Sequence, residues 1–304
     1  MTTTNDTSST PPGTGARAFE EVPAFNIEKF ISASRPLDLS GIRIEDAAKY
    51  PLSPSEVRVM RYMQDTEFYT VHYMKALMET HALADSEARA FMVCWGYEEC
   101  FHGRVLARLV EVCGHEPSRR SIEEFARPRK STEVIQDFGG RLLSFLSKDF
   151  LATHMTWGAI NELTAIHAYS RLAELSANPV VAAVARRIVK DERRHFAFYY
   201  QQGKRRLQAS ALARRMATLS LKALWEPVGG SMAPTEDRDF VGAYLFGDEA
   251  GRARLAETDA TIAKLPGMEW FNLVSKHTNE GTRRTMASGV PMHRPERRSD
   301  ADAA

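Results

Sequence analysis

Apolar residues recur along this chain every three or four positions, and runs of alternating polar and apolar residues bounded by turns are missing. That period marks helices that bury one face. A short amphipathic lead-in is predicted over about 19–49. The first long helix is expected to start at Ser53, where Ser53-Pro54-Ser55-Glu56 has the capping-box pattern with Pro54 in the first helical position, and to run to about Thr80. A second is expected from about Asp85 to Val112, stopped by Gly114. A stretch rich in Pro, Arg and Ser over 115–130 connects to a helix around 131–146. The third long helix is predicted over roughly 148–176, and the fourth opens at Asn178-Pro179, again a cap followed by Pro, and extends to about Ala209. Shorter helices are predicted at 210–224, 236–246, 249–263 and 266–279, and no repeat of solenoid period is present. The expectation is an all-α fold: a four-helix bundle with one long crossover, between the second and third long helices, and additional C-terminal helices.

Composition narrows the class. The 304 residues are 43% hydrophobic, enough for one large core or two small ones. Lys and Arg number 40 against 39 Asp and Glu, and a net charge of +1 gives no reason to expect nucleic acid as partner. No apolar run approaches the roughly 20 residues that span a bilayer. Met1 to Gly15 is rich in Thr, Ser and Pro and lacks an apolar core. It reads as the start of a disordered tail over 1–18 rather than a signal peptide. A polar, Arg-rich tail is expected over 281–304, leaving one helical domain over 19–280. The cysteines, Cys94, Cys100 and Cys113, form no C-x-x-C pair. An odd count without a signal peptide fits a reducing cytoplasm and argues against a zinc ribbon or a rubredoxin-like module.

Two motifs carry the chemistry. The second helix contains Glu98-Glu99-Cys100-Phe101-His102 and the fourth contains Asp191-Glu192-Arg193-Arg194-His195. Residues three apart share a helix face, so Glu99 points with His102, and Glu192 with His195. Two Glu-x-x-His helices plus one inward Glu from each of two others make the ligand set of a di-iron carboxylate bundle. Glu67 fits the demand on the first helix, in a stripe with Met60, Met63, Val71, Met74 and Met78. Glu162 fits it on the third, in register with Met155, Gly158, Ala159, Ala165, Ile166 and Tyr169. Four uncompensated carboxylates in one core would repel, and two divalent cations would neutralise them. An oxygen-rich shell with one nitrogen per metal suits iron or manganese. Glu98 and Asp191, offset by about 100° from the inward face, are placed to accept the distal N–H of the histidine on the opposite helix. His72 and His167 read as packing or polar residues, His154 as a residue that can lie near the site, and Cys100 as a small packed side chain.

At these residues, over about 53–206, the chain resembles the soluble acyl-carrier-protein desaturases of the ferritin-like di-iron superfamily. The resemblance implies a ferritin-like bundle with two iron ions, or a mixed Mn/Fe pair, and O2 as co-substrate. Its metal ligands would be Glu67, Glu99, His102, Glu162, Glu192 and His195, with Glu98 and Asp191 behind them. It further implies a ferredoxin-type electron donor, an acidic acyl carrier protein as substrate carrier, and a homodimer. Two positions depart from that family: Ala165 stands where a Thr is usual, with Thr164 one place early, and Cys100-Phe101 replaces a polar pair. Leu106 stands where a ribonucleotide reductase small subunit carries its radical Tyr, and Ile188 where arylamine N-oxygenases carry an extra His. Arg186, Arg187, Lys190, Arg193 and Arg194, followed by Lys204, Arg205 and Arg206, offer a basic helix face for an acidic carrier protein. The leading expectation is an O2-dependent oxidase that desaturates or hydroxylates an acyl or similar apolar substrate. The alternatives are an N-oxygenase or hydroxylase of specialised metabolism on the same metals, and a non-catalytic iron-binding bundle.

Overall fold

The computed structural model describes residues 24–78, 80–120, 148–230 and 233–294. The chain is all-α, with no strand among the described residues. Helix α1, Ile27–Ala33, is capped by Asn26, whose side chain accepts the Lys29 N–H at 2.9 Å. Helix α2, Pro54–Met78, starts where Ser53 Oγ accepts the Glu56 N–H at 3.1 Å. The Glu56 carboxylate does not close the expected capping box; it takes the Ser176 hydroxyl instead. Helix α3, Ser86–Val112, is capped by Asp85 and ends at Gly114, φ 84°, where His115 N–H donates to Val110 O at 3.1 Å. That 6→1 bond with a left-handed glycine is a Schellman stop.

Helix α4 spans Leu151–Leu175, and helix α5 spans Pro179–Ala209. Between them Asn178, fully buried, accepts the N–H groups of Val180 and Val181 and donates to Ala47 O and Tyr50 O at 3.0 and 2.9 Å. One residue therefore starts α5 and ties it to the 3-10 turn Ile44–Lys49. Two glycines let the long helices approach. A Cβ at Gly158 would lie 2.3 Å from the Tyr199 ring, and one at Gly103 would lie 2.8 Å from Phe68. The connection from α3 to α4 is the long one, and 121–147 within it, including the helix expected at 131–146, lie outside the described residues.

Among the described residues, four further helices follow: α6 Ala211–Leu224, α7 Thr235–Phe246, α8 Glu249–Ile262 and α9 Leu273–Ser288. The buried Arg171 of α4 docks them, donating to Leu245 O at 2.9 Å and pairing with Asp248 at 2.5 Å. The helix expected at 266–279 is displaced. Pro266 and Gly267 (φ 80°) turn the chain, and α9 begins only at Leu273, where the Asp259 carboxylate accepts the N–H groups of Val274 and Ser275, both at 3.1 Å. It then runs to Ser288 and stops at Gly289, φ 67°, so 281–288, expected to be tail, are helical. The chain beyond stays docked: His293 N–H donates to Ser55 Oγ at 3.0 Å. Residues 1–18 and 295–304, expected to be tails, lie outside the described residues. No helix of the described residues is long and apolar enough to cross a membrane.

Candidate metal centre

Helices α2 to α5 each aim acid at one point. Glu67 sits midway along α2, Glu99 and His102 one turn apart on α3, Glu162 on α4, and Glu192 and His195 one turn apart on α5. All six side chains are buried. Their ligand atoms fall into two groups, each within 4.8 Å: Glu67, Glu99, His102 and Glu192, then Glu99, Glu162, Glu192 and His195. Glu99 and Glu192 belong to both, which is the pattern of bridging carboxylates. The structure thus brings together all six residues that the spacing nominated.

Both histidines turn the same atom inward. His102 Nδ1 lies 3.3 Å from Glu192, 3.5 Å from Glu99 and 3.8 Å from Glu67. His195 Nδ1 lies 3.0 Å from Glu99, 3.2 Å from Glu192 and 3.7 Å from Glu162. Their other nitrogens meet acids on the facing helix: His102 Nε2 lies 3.3 Å from Asp191, and His195 Nε2 lies 2.8 Å from Glu98. Arg194 bonds both of these acids, Asp191 at 2.6 Å and Glu98 at 3.0 Å. With a metal bound, such partners would fix the tautomer, N–H outward and lone pair inward, as a metal-binding histidine requires. His102 Nδ1 is buried with no hydrogen-bond partner, the state of a nitrogen reserved for a ligand.

Electrostatics without metal shows the strain of the arrangement. Burial and the Glu99 charge push the Glu67 carboxyl up to about 8, and burial lifts Glu162 well above the carboxylate range. Burial also pushes Glu99 and Glu192 up, but hydrogen bonds from their neighbours outweigh it and hold both low. Burial opposes charge on His102 and His195, yet the surrounding acids raise both well above the ordinary imidazole value. The cluster therefore balances itself with protons, which is the service that cations perform when bound. These donors can hold one metal ion in each group.

The neighbourhood adds parts that the spacing did not reveal. The Tyr169 hydroxyl donates to Glu67 Oε1. Tyr169 lies two turns after Glu162 on the same face, so its position was legible although its hydrogen bond was not. A cavity of about 470 Å³ reaches Glu67, Glu99, Glu162 and Glu192. Tyr69, Tyr73, Trp95 and Trp157 line it, mostly apolar surface, together with the 226–230 segment after α6. His154 also lines it, and burial lowers its imidazole to about 4. The His72 ring lies tilted against Tyr69, centroids 4.5 Å apart, while His167 sits apart, 2.8 Å from Thr258.

Three expectations change. Val71, placed on the Glu67 stripe, is 47% exposed, because the stripe drifts off the inward face after Glu67. Cys100 is exposed rather than packed, since one residue after Glu99 lies about 100° away around the helix. The basic face splits in two. Arg186, Lys190 and Arg193 are exposed on one stripe, but Arg187 pairs with Asp38 at 3.3 Å and Arg194 braces Glu98 and Asp191. Arg205 and Arg206 likewise pair with Glu87 and Asp85. Comparison with protein-family models, curated proteins and solved structures gives no match.

Proposed function

We propose that this protein is an O2-dependent di-iron oxidase, built on a ferritin-like four-helix bundle, that acts on an organic substrate lodged in the 470 Å³ cavity. The observation that carries the reading is that the cavity reaches carboxylates of both metal-ligand groups. A storage or purely structural site has no need of an organic-sized chamber beside its ligands. Glu67, Glu99, His102, Glu162, Glu192 and His195 would hold two iron ions, or a mixed Mn/Fe pair, because the donors on offer are carboxylate oxygens and imidazole nitrogens and nothing softer. When bound, such a pair supplies activation of O2, with two electrons from a ferredoxin-type donor.

The chain's own residues do the rest. Tyr69, Tyr73, Trp95 and Trp157 give an apolar wall that excludes water and holds a hydrocarbon segment beside the carboxylates. Glu98 and Asp191, braced by Arg194, keep both histidines aimed inward. The mostly apolar lining favours an acyl or similar substrate. An acidic carrier protein would meet the exposed Arg186, Lys190 and Arg193 rather than the whole basic run. A second reading has its own support: Thr66, Thr70 and Asn161 also line the cavity and suit a compact polar substrate for hydroxylation or N-oxygenation.

The test is single-turnover reaction of the iron-loaded, reduced protein with O2 and either acyl-carrier thioesters or aromatic amines, read by mass spectrometry. Loss of two hydrogens from an acyl chain supports the first reading. Gain of oxygen by a compact substrate supports the second. O2 consumed with oxidised iron retained and no organic product would overturn both in favour of iron handling.

A further inference from the structure

The two metal-ligand groups look alike in composition: each has three carboxylates and one imidazole, and they share Glu99 and Glu192. What distinguishes them is one residue apiece beyond the histidines, Glu67 in the first and Glu162 in the second. Their surroundings differ. Glu67 Oε1 accepts the Tyr169 hydroxyl, while Oε2 faces His102 Nδ1 at 3.8 Å. Glu162 accepts no hydroxyl among the described residues; its Oε2 faces His195 Nδ1 at 3.7 Å, and both carboxylates line the cavity. The phenol cannot swing away, because Tyr169 is 1% exposed and packed in the core of α4.

We propose that Tyr169 is a positioning residue that makes the two metal positions unequal. Its hydrogen bond engages one oxygen of Glu67 and holds that carboxylate in a fixed orientation. The position formed by Glu67, Glu99, His102 and Glu192 is therefore the tighter one and fills first. The position formed with Glu162, whose carboxylate no hydroxyl holds among the described residues, fills second. The physical basis is preorganisation: a ligand already held in its bound orientation loses less freedom on binding, and removing the outer partner of a ligand typically lowers metal affinity 10–100-fold. The inference rests on the metal-centre reading but not on any oxidase activity.

The test is anaerobic titration of the metal-free full-length chain with Co(II), followed by calorimetry and by the visible absorption of the ion. The wild type is expected to bind in two resolved steps. Glu67→Gln should remove the tight step and Glu162→Gln the weak one. Tyr169→Phe, which keeps the ring and deletes only the hydroxyl, should weaken the tight step by about tenfold and leave the weak step unchanged. Tyr199→Phe serves as control, because its hydroxyl is equally buried beside the site and has no hydrogen-bond partner; it should change neither step. Equal loss in both tyrosine variants would assign the effect to packing and overturn the proposal. So would Tyr169→Phe weakening neither step or the Glu162 step. Absence of binding by the wild type would overturn this inference together with the metal-centre reading, whereas normal two-step binding without O2 chemistry would overturn the oxidase reading alone.

Discussion

In the C-terminal helices, Asp239, Asp248 and Asp259, all buried or half-buried, each meet a donor from the protein itself. Asp239 takes Arg284 at 2.6 and 3.0 Å, Asp248 takes Arg171, and Asp259 takes two backbone N–H groups at the start of α9. In the centre of the four long helices, Glu67, Glu99, Glu162 and Glu192 meet mostly one another and two histidines. The first kind of acid is satisfied by the folded chain and works as a strut. The second kind is left with more negative charge than the chain supplies positive partners for, and is complete only with protons or cations. Burial alone does not identify a ligand; burial beside other acids does.

The sharpest way to break this comparison is to neutralise one acid of each kind. Adding Fe(II) or Mn(II) at roughly a hundred times its dissociation constant should stabilise the wild type by about 3 kcal/mol. Glu67→Gln should lose much of that gain while leaving the metal-free protein about as stable as before, since a neutral isostere relieves repulsion. Asp239→Asn should instead cost about 1–3 kcal/mol whether or not metal is present, because it strips the partner from Arg284. Thermal melts with and without metal separate the two. Equal destabilisation of the metal-free protein by both substitutions would erase the distinction.

Much of this was legible in the sequence, for local reasons. Caps at Ser53 and Asn178 are read from a few neighbouring residues, and α2 and α5 begin where those residues place them. The six clustered side chains follow from helical spacing, which is rigid enough to carry a face across two turns. What escaped depends on contacts between distant segments. The start of α9 is set by Asp259, 14 residues before Leu273, and nothing near Leu273 announces it. Arg194 looked like surface charge, yet it is consumed by Glu98 on another helix, 96 residues away. Tyr169 stood in the apolar register of α4, and only the packing of α4 against α2 gives its hydroxyl to Glu67.

Histidines extend the comparison to acid pH. His167, 1% exposed against α8, is held down to about 3 by burial, with Arg254 and Arg193 adding to the effect; Glu257 faces its Nε2 at 3.6 Å. A histidine that resists protonation in the folded chain contributes stability above about pH 6.5, and that contribution is lost as pH falls toward 3. Between pH 6.5 and 5 the loss should be about 2 kcal/mol. Denaturant midpoints of His167→Gln should fall less steeply over that range than those of the wild type. Parallel curves would show that His167 does not govern the acid response.

The smallest effect concerns a strut. Asp259→Ala should cost about 1–2 kcal/mol, the worth of a cap shared between two N–H groups. It should also speed amide exchange at Val274 and Ser275 without changing metal uptake. A change in metal uptake would mean that the two kinds of acid are coupled.

The central claim, that four buried carboxylates and two histidines form a two-metal centre, is tested most directly by counting metal. Protein loaded anaerobically with Fe(II) and freed of excess should carry two ions per chain, and Glu99→Ala, which removes a residue common to both groups, should carry none. A wild type without bound metal, or a Glu99→Ala variant that still holds two ions, would contradict the account.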